Sequence, residues 1–131
     1  MKWSDNYATG VKHIDDHHKM LFKMADDFRE ALDVGRGQKV YGMLLDMLQN
    51  YADAHFRMEE GCMEQYRCPV AQTNKAAHAK FLEVLAEFQQ RYAVSSFYAV
   101  DAHSLVDTLE LWLTDHICQI DVKLKQYVDV P

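Results

Sequence analysis

The chain is poor in the residues that break helices or staple loops. Two prolines and five glycines are spread over 131 residues, while 49% of positions are apolar, so long uninterrupted elements around a packed core are expected rather than disorder. No uncharged apolar run approaches the ~20 residues needed to cross a bilayer. The opening MKWSDNYATG has neither an apolar segment nor a small-residue cleavage site, and reads as carrying no secretory signal. Lys and Arg form no cluster and the formal charge is −6, which argues against nucleic acid or an anionic membrane as partner. The three cysteines (Cys62, Cys68, Cys118) are odd in number and form no CxxC. They read as reduced thiols of a cytoplasmic protein, and neither Cys62 nor Cys68 has a partner base that would make it a nucleophile. What the chain has in excess is histidine, with seven.

Four helical patterns are separated by three short breaks. After an irregular arm containing Trp3 and Tyr7, the stripe Ile14, His18, Leu21, Ala25, Phe28, Leu32 alternates steps of four and three, which is one face of a helix. Asp15 is placed as its N-cap, and the glycines of VGRGQ end it. The second stripe runs Leu44, Leu48, Tyr51, His55, Glu59, Cys62, Tyr66, with Pro69 expected to close that helix. The third runs Asn74, His78, Phe81, Leu85, Phe88, Tyr92 and stops near AVSSF, where Ser95 or Ser96 is placed to cap the next. The fourth is expected to run unbroken through Ala102, Leu105, Leu109, Trp112, His116, Ile120, Leu124 and Tyr127. No stretch reads as a strand. Long helices joined by short loops pack antiparallel, so the expected fold is all-α, an up-down-up-down four-helix bundle with an irregular N-terminal arm, in a single domain over 1–131.

Polar residues lie on every apolar stripe, and a bundle core that buries them must satisfy them, since each unpaired group costs a few kcal/mol. Residues four apart lie about 40° apart around a helix, so His55 and Glu59 reach one point, as do Asn74 and His78. His116 and Asp121 are five apart, about 140° around an α-helix. That separation suits one end-on ligand and one carboxylate that reaches across. His18 adds a ligand from the first helix. A lone histidine on an apolar stripe is ordinarily a hydrogen-bonded core residue; six in-phase polar residues on four stripes are not. Four imidazoles and two carboxylates exceed what one ion usually takes from protein, and a carboxylate can bridge, so the set points to a dinuclear site. Its mixed N/O character favours iron over zinc, which is more often tetrahedral with fewer ligands.

The segments GVKHIDDHHKML, YADAHFRMEE, the His78 segment before Phe81, and LWLTDHICQID occur in that order. Together they resemble the hemerythrin family, especially the bacterial hemerythrin-like domains, over nearly the whole chain, and the opening WSDNYATGV resembles the family's N-terminal arm. The resemblance implies a bundle around a non-heme diiron centre that binds O2 reversibly. One iron would be held by His18 and His55, the other by a third-helix histidine pair plus His116. Glu59, Asp121 and an oxo or hydroxo group would bridge them, with O2 or a small anion as the exchangeable ligand. It also implies an apolar ligand pocket lined by Leu21, Phe56, Trp112, Leu113 and Cys118. In the DHHK doublet His18 continues the stripe, whereas His17, like His13 and His103, reads as non-ligating.

One position departs from the pattern. The family's third-helix pair is HxxxH, and its first member falls on Asn74, whose neutral amide is a much weaker iron ligand. Water or a small anion is expected at that iron in preference to direct amide ligation. A centre so altered is expected to oxidise quickly in air, which suits an oxygen or redox sensor more than a slow-releasing carrier. The function expected is therefore a cytoplasmic diiron O2-binding sensor domain without enzymatic turnover. Its output would be a fused or partner signalling module such as a diguanylate cyclase or chemotaxis receptor, as family members include input domains of this kind. A free-standing O2 carrier and a diiron peroxidase or oxidase are the alternatives.

Overall fold

Among the described residues of the computed structural model, 3–117 and 121–128, four long helices carry the chain. These are α1 (Lys12–Asp33), α2 (Gly37–Gln65), α3 (Ala71–Ser95) and α4 (Ala99–Trp112). A 3-10 turn at Asp5–Tyr7 precedes them; after α4 come a π-helical turn at Leu113–Ile117, a 3-10 turn at Asp121–Leu124 and the short helix α5 (Lys125–Val128). The helices form an up-down-up-down four-helix bundle, with no strand among the described residues, in which α2 packs against both α1 and α3, and α4 against α1.

Two apolar layers fill the interior. The larger includes Phe22, Phe28, Tyr41, Leu48, Phe56, Leu85, Phe88, Leu105, Leu109 and Leu113. A smaller one at the far end joins Ile14, Met63, Cys68 and Leu124. The sequence sets where the polar layer between them falls. His18 lies one turn from both Ile14 and Leu21 on α1, and Glu59 one turn from both Phe56 and Met63 on α2.

Several boundaries differ from those expected, each for a local reason. Asp15 is not the N-cap: α1 begins at Lys12, after Val11, and the Asp15 carboxylate instead accepts from the Thr9 amide (2.7 Å) and hydroxyl (2.8 Å). The carboxylate thus ties down the arm, whose Tyr7 ring stacks on Phe22 (5.8 Å, 6°). Gly35, at φ +76°, ends α1 as anticipated, its neighbour Arg36 N–H reaching back to the Ala31 carbonyl at 2.7 Å. Pro69 does not end α2. The helix closes at Gln65 through the same kind of turn, with Arg67 at φ +53° and the Cys68 N–H bonded to the Met63 carbonyl at 2.9 Å; the proline merely follows it, as is common. Ser95 and Ser96 do not cap α4. Ser95 is the last residue of α3 and Ser96 its C-cap, while α4 starts after Tyr98.

The fourth stripe is also not one continuous α-helix. Thr114 donates its hydroxyl to the Glu110 carbonyl at 3.0 Å, a competing bond of the kind that bends helices, and the backbone widens into the π-helical turn. Cys118 and Ile120 lie outside the described residues.

The Thr9–Asp15 tie yields a stability prediction. Asp15→Ala is expected to cost about 1–3 kcal/mol in urea unfolding, and Asp15→Asn, which keeps an acceptor, less than half of that. Equal loss in both variants contradicts the assignment.

Candidate metal centre

The polar layer gathers one or two side chains from each of α1, α2 and α3 and one from each of the two turns after α4. His18 comes from α1, His55 and Glu59 from α2, Asn74 and His78 from α3, His116 from the π-helical turn and Asp121 from the 3-10 turn. All seven are at most 3% exposed. Residues five apart diverge on an α-helix, yet His116 Nε2, in the π-helical turn, lies 3.1 Å from Asp121 Oδ1, in the 3-10 turn.

Each carboxylate turns one oxygen to each side of the layer. Glu59 Oε2 faces His18 Nε2 (3.0 Å) and His55 Nε2 (3.7 Å), while Oε1 faces His78 Nε2 (3.1 Å) and the Asn74 amide (2.8 Å). Asp121 Oδ2 faces His18 (3.2 Å) and Oδ1 faces His116. Two groups result, His18 with His55 and Glu59, and His78 with His116, Glu59 and Asp121. Within each, one nitrogen or oxygen per residue lies within 4.8 Å of all the others.

These residues suit metal ions better than one another. Among the described residues, the buried Nε2 atoms of His55, His78 and His116, both Asp121 oxygens and Asn74 Oδ1 have no aligned hydrogen-bond partner. The nitrogens and carboxylate oxygens are close without pointing at one another as donor and acceptor. A cation between them satisfies several at once, and the donor set of imidazole with bridging carboxylate suits iron.

Their protonation in the metal-free protein follows from the same geometry. Burial pushes the His55 ring down to about 3, so it is a neutral imidazole ready to ligate. Burial also opposes charge on His18, yet Asp121 and Glu59 overcome it and lift the ring to about 9. His78 is raised as well, by Glu59 and Glu60 against burial. Burial would raise the Glu59 carboxyl, but the His18 and His78 rings hold it well below the usual carboxylate range.

Aromatic rings wall the second group. Phe56 stacks on His78 (3.9 Å, 4°) and Trp112 on His116 (4.3 Å, 18°). Leu21 and Leu113 are buried in the main core and Trp112 is half-buried. A cleft of ≈350 Å³ between α3 and α4, lined by Phe81, Leu85, Leu105 and Leu109, reaches the Trp112–His116 pair.

Spacing rules missed two supporting residues. His17, half-buried, places Nδ1 3.0 Å from His55 Nδ1, and Glu60 places Oε2 2.9 Å from His78 Nδ1. Each directly follows or precedes a stripe residue, about 100° around the helix, so no periodic signal marks it. His13 and His103 are exposed.

The Hemerythrin HHE cation binding domain model matches residues 9–128. The chain is 30% identical over 125 residues to the bacteriohemerythrin of Methylococcus capsulatus, covering 92% of this chain and 91% of that one. It is 27% identical over 127 residues to that of Pseudomonas aeruginosa strain UCBPP-PA14, covering 97% and 78%. A crystal structure of wild-type hemerythrin superposes with a TM-score of 0.80 at 26% identity, covering 99% of this chain and 98% of that one. Fold and site together define a hemerythrin-like diiron oxygen-binding domain. The chain belongs to the hemerythrin family.

The shifts above fix a pH dependence for the metal-free protein. His18 is held above its ordinary 6.5, so its stabilisation is complete below that pH and is lost as the pH rises through about 9; His78 acts in the same sense. His55 is held below 6.5, so its stabilisation is present above that pH and fades as the solution is acidified. Thermal melts with chelator present are expected to peak near neutrality and fall on both sides. A melting temperature that climbs steadily from acid to about pH 9 contradicts this.

Proposed function

We propose that the chain is an oxygen-responsive switch built on a diiron centre and acting in the cytoplasm on a signalling output such as a diguanylate cyclase or chemotaxis receptor. In this reading His18 and His55 would hold one iron, His78 and His116 would hold the other, and Glu59 and Asp121 would serve both. Bound iron supplies the reversible electron exchange with O2. The protein's own residues fix the two positions, exclude bulk water by burial, and wall the second position with Phe56 and Trp112.

The observation that carries the switch reading is the surroundings of Asn74. It stands one turn before His78, where the family pattern has a fifth imidazole. Its Nδ2 donates to Glu59 Oε1 and lies 3.1 Å from Met63 Sδ, so the bridging carboxylate holds the amide. We assign Asn74 to hydrogen-bonding a water or small anion at the second iron rather than to direct ligation. A second position that takes an exchangeable water or small anion in place of an imidazole changes state readily when oxygen arrives, as a switch requires.

A free-standing oxygen carrier is the second reading, favoured by the likeness to the Methylococcus capsulatus bacteriohemerythrin. Stopped-flow spectra of the reduced, iron-loaded protein mixed with air-saturated buffer separate the two. The switch reading expects a short-lived oxygenated spectrum, lengthened at least tenfold in Asn74→His. A long-lived spectrum in the native protein, unchanged by the substitution, supports the carrier and sinks the switch.

A further inference from the structure

Behind the candidate ligands the two histidine groups rest on different supports. His55 Nδ1 faces His17 Nδ1 at 3.0 Å, and His78 Nδ1 faces Glu60 Oε2 at 2.9 Å. The first contact joins two imidazole nitrogens, of which only one carries the proton. A His55 that ligates through Nε2 keeps its single ring proton on Nδ1 and therefore donates. His17 must then accept through a bare Nδ1, with its own proton on Nε2. The packing supports this fixed arrangement. The His17 ring meets Tyr51 edge-on (5.2 Å, 66°), and Tyr51 lies parallel to His55 (6.4 Å, 19°).

Glu60 offers His78 something different. A carboxylate acceptor makes the imidazole above it a stronger electron donor, and a neutral acceptor does so much less. A more electron-rich ligand set favours the higher oxidation state of its metal. The fold thus backs one side of the centre with a negative charge and the other with a neutral ring.

We propose that His17 is a positioning residue that holds His55 with a neutral acceptor, against the anionic support that Glu60 gives His78. This unequal backing makes the His78–His116 position surrender its electron first to an external one-electron acceptor, while the His18–His55 position stays reduced longer. The proposal rests on the diiron reading above.

Spectroelectrochemical titration of the iron-loaded protein tests it through the potentials of its two one-electron steps. Glu60→Gln is expected to raise the lower potential, and His17→Glu to lower the higher one, so that each narrows the gap from opposite ends. His17→Gln, which keeps a neutral acceptor, is expected to leave both steps unmoved. His17→Ala should lose roughly 10–100-fold in iron affinity at one of the two positions, with the metal-free variant melting as the native protein does. The proposal is overturned if Glu60→Gln and His17→Glu move the same step or neither, or if His17→Gln weakens iron binding as much as His17→Ala does. Failure of the native protein to take up a second iron would instead overturn the diiron reading itself.

Discussion

The structure depends on burying a polar layer, two carboxylates and four imidazoles, inside an otherwise apolar bundle. Ionised carboxylates removed from water cost several kcal/mol each unless they are paired and hydrogen-bonded. Here the pairing is incomplete within the protein. Glu59 is held by His18 and Asn74, but among the described residues both Asp121 oxygens and the Nε2 atoms of His55, His78 and His116 find no aligned partner. Such a layer is a standing cost to folding that bound cations offset, so metal binding and stability are linked in one site.

Other features of the fold serve that layer. Apolar clusters close it on both sides, which keeps its fields strong. The π-helical turn at Leu113–Ile117 carries His116 into the layer, and turns of this kind recur at functional sites. The parallel stacking of Phe56 on His78 and Trp112 on His116 fixes ring orientations that hydrogen bonds alone leave free. Among the described residues no helix is long and apolar enough to cross a membrane, and the helices' length serves the bundle.

The sequence made much of this legible because helical periodicity is a long-range signal repeated in every element. Four stripes put His18, His55, Glu59, Asn74, His78, His116 and Asp121 in one interior, and all are buried there. Helix ends were less legible because they are decided by local competition. Asp15 was spent on Thr9 instead of on a cap, and Arg67 adopted a left-handed conformation that ends α2 ahead of Pro69. The break after Trp112 was hidden for another reason, since its apolar pattern continues unbroken through the π turn. His17 and Glu60 were illegible because a supporting contact depends on which way two neighbouring helices face one another, which no single helix's spacing records.

The chemistry of this protein turns on whether this polar layer holds a pair of irons. Elemental analysis of protein reconstituted with ferrous iron under anaerobic conditions tests it most directly, together with the same measurement on Glu59→Ala. Two irons per native chain are expected, with oxo-bridged diferric absorption after exposure to air, and loss of both features in the variant. Less than one iron per native chain, or iron bound equally by Glu59→Ala, would contradict that expectation.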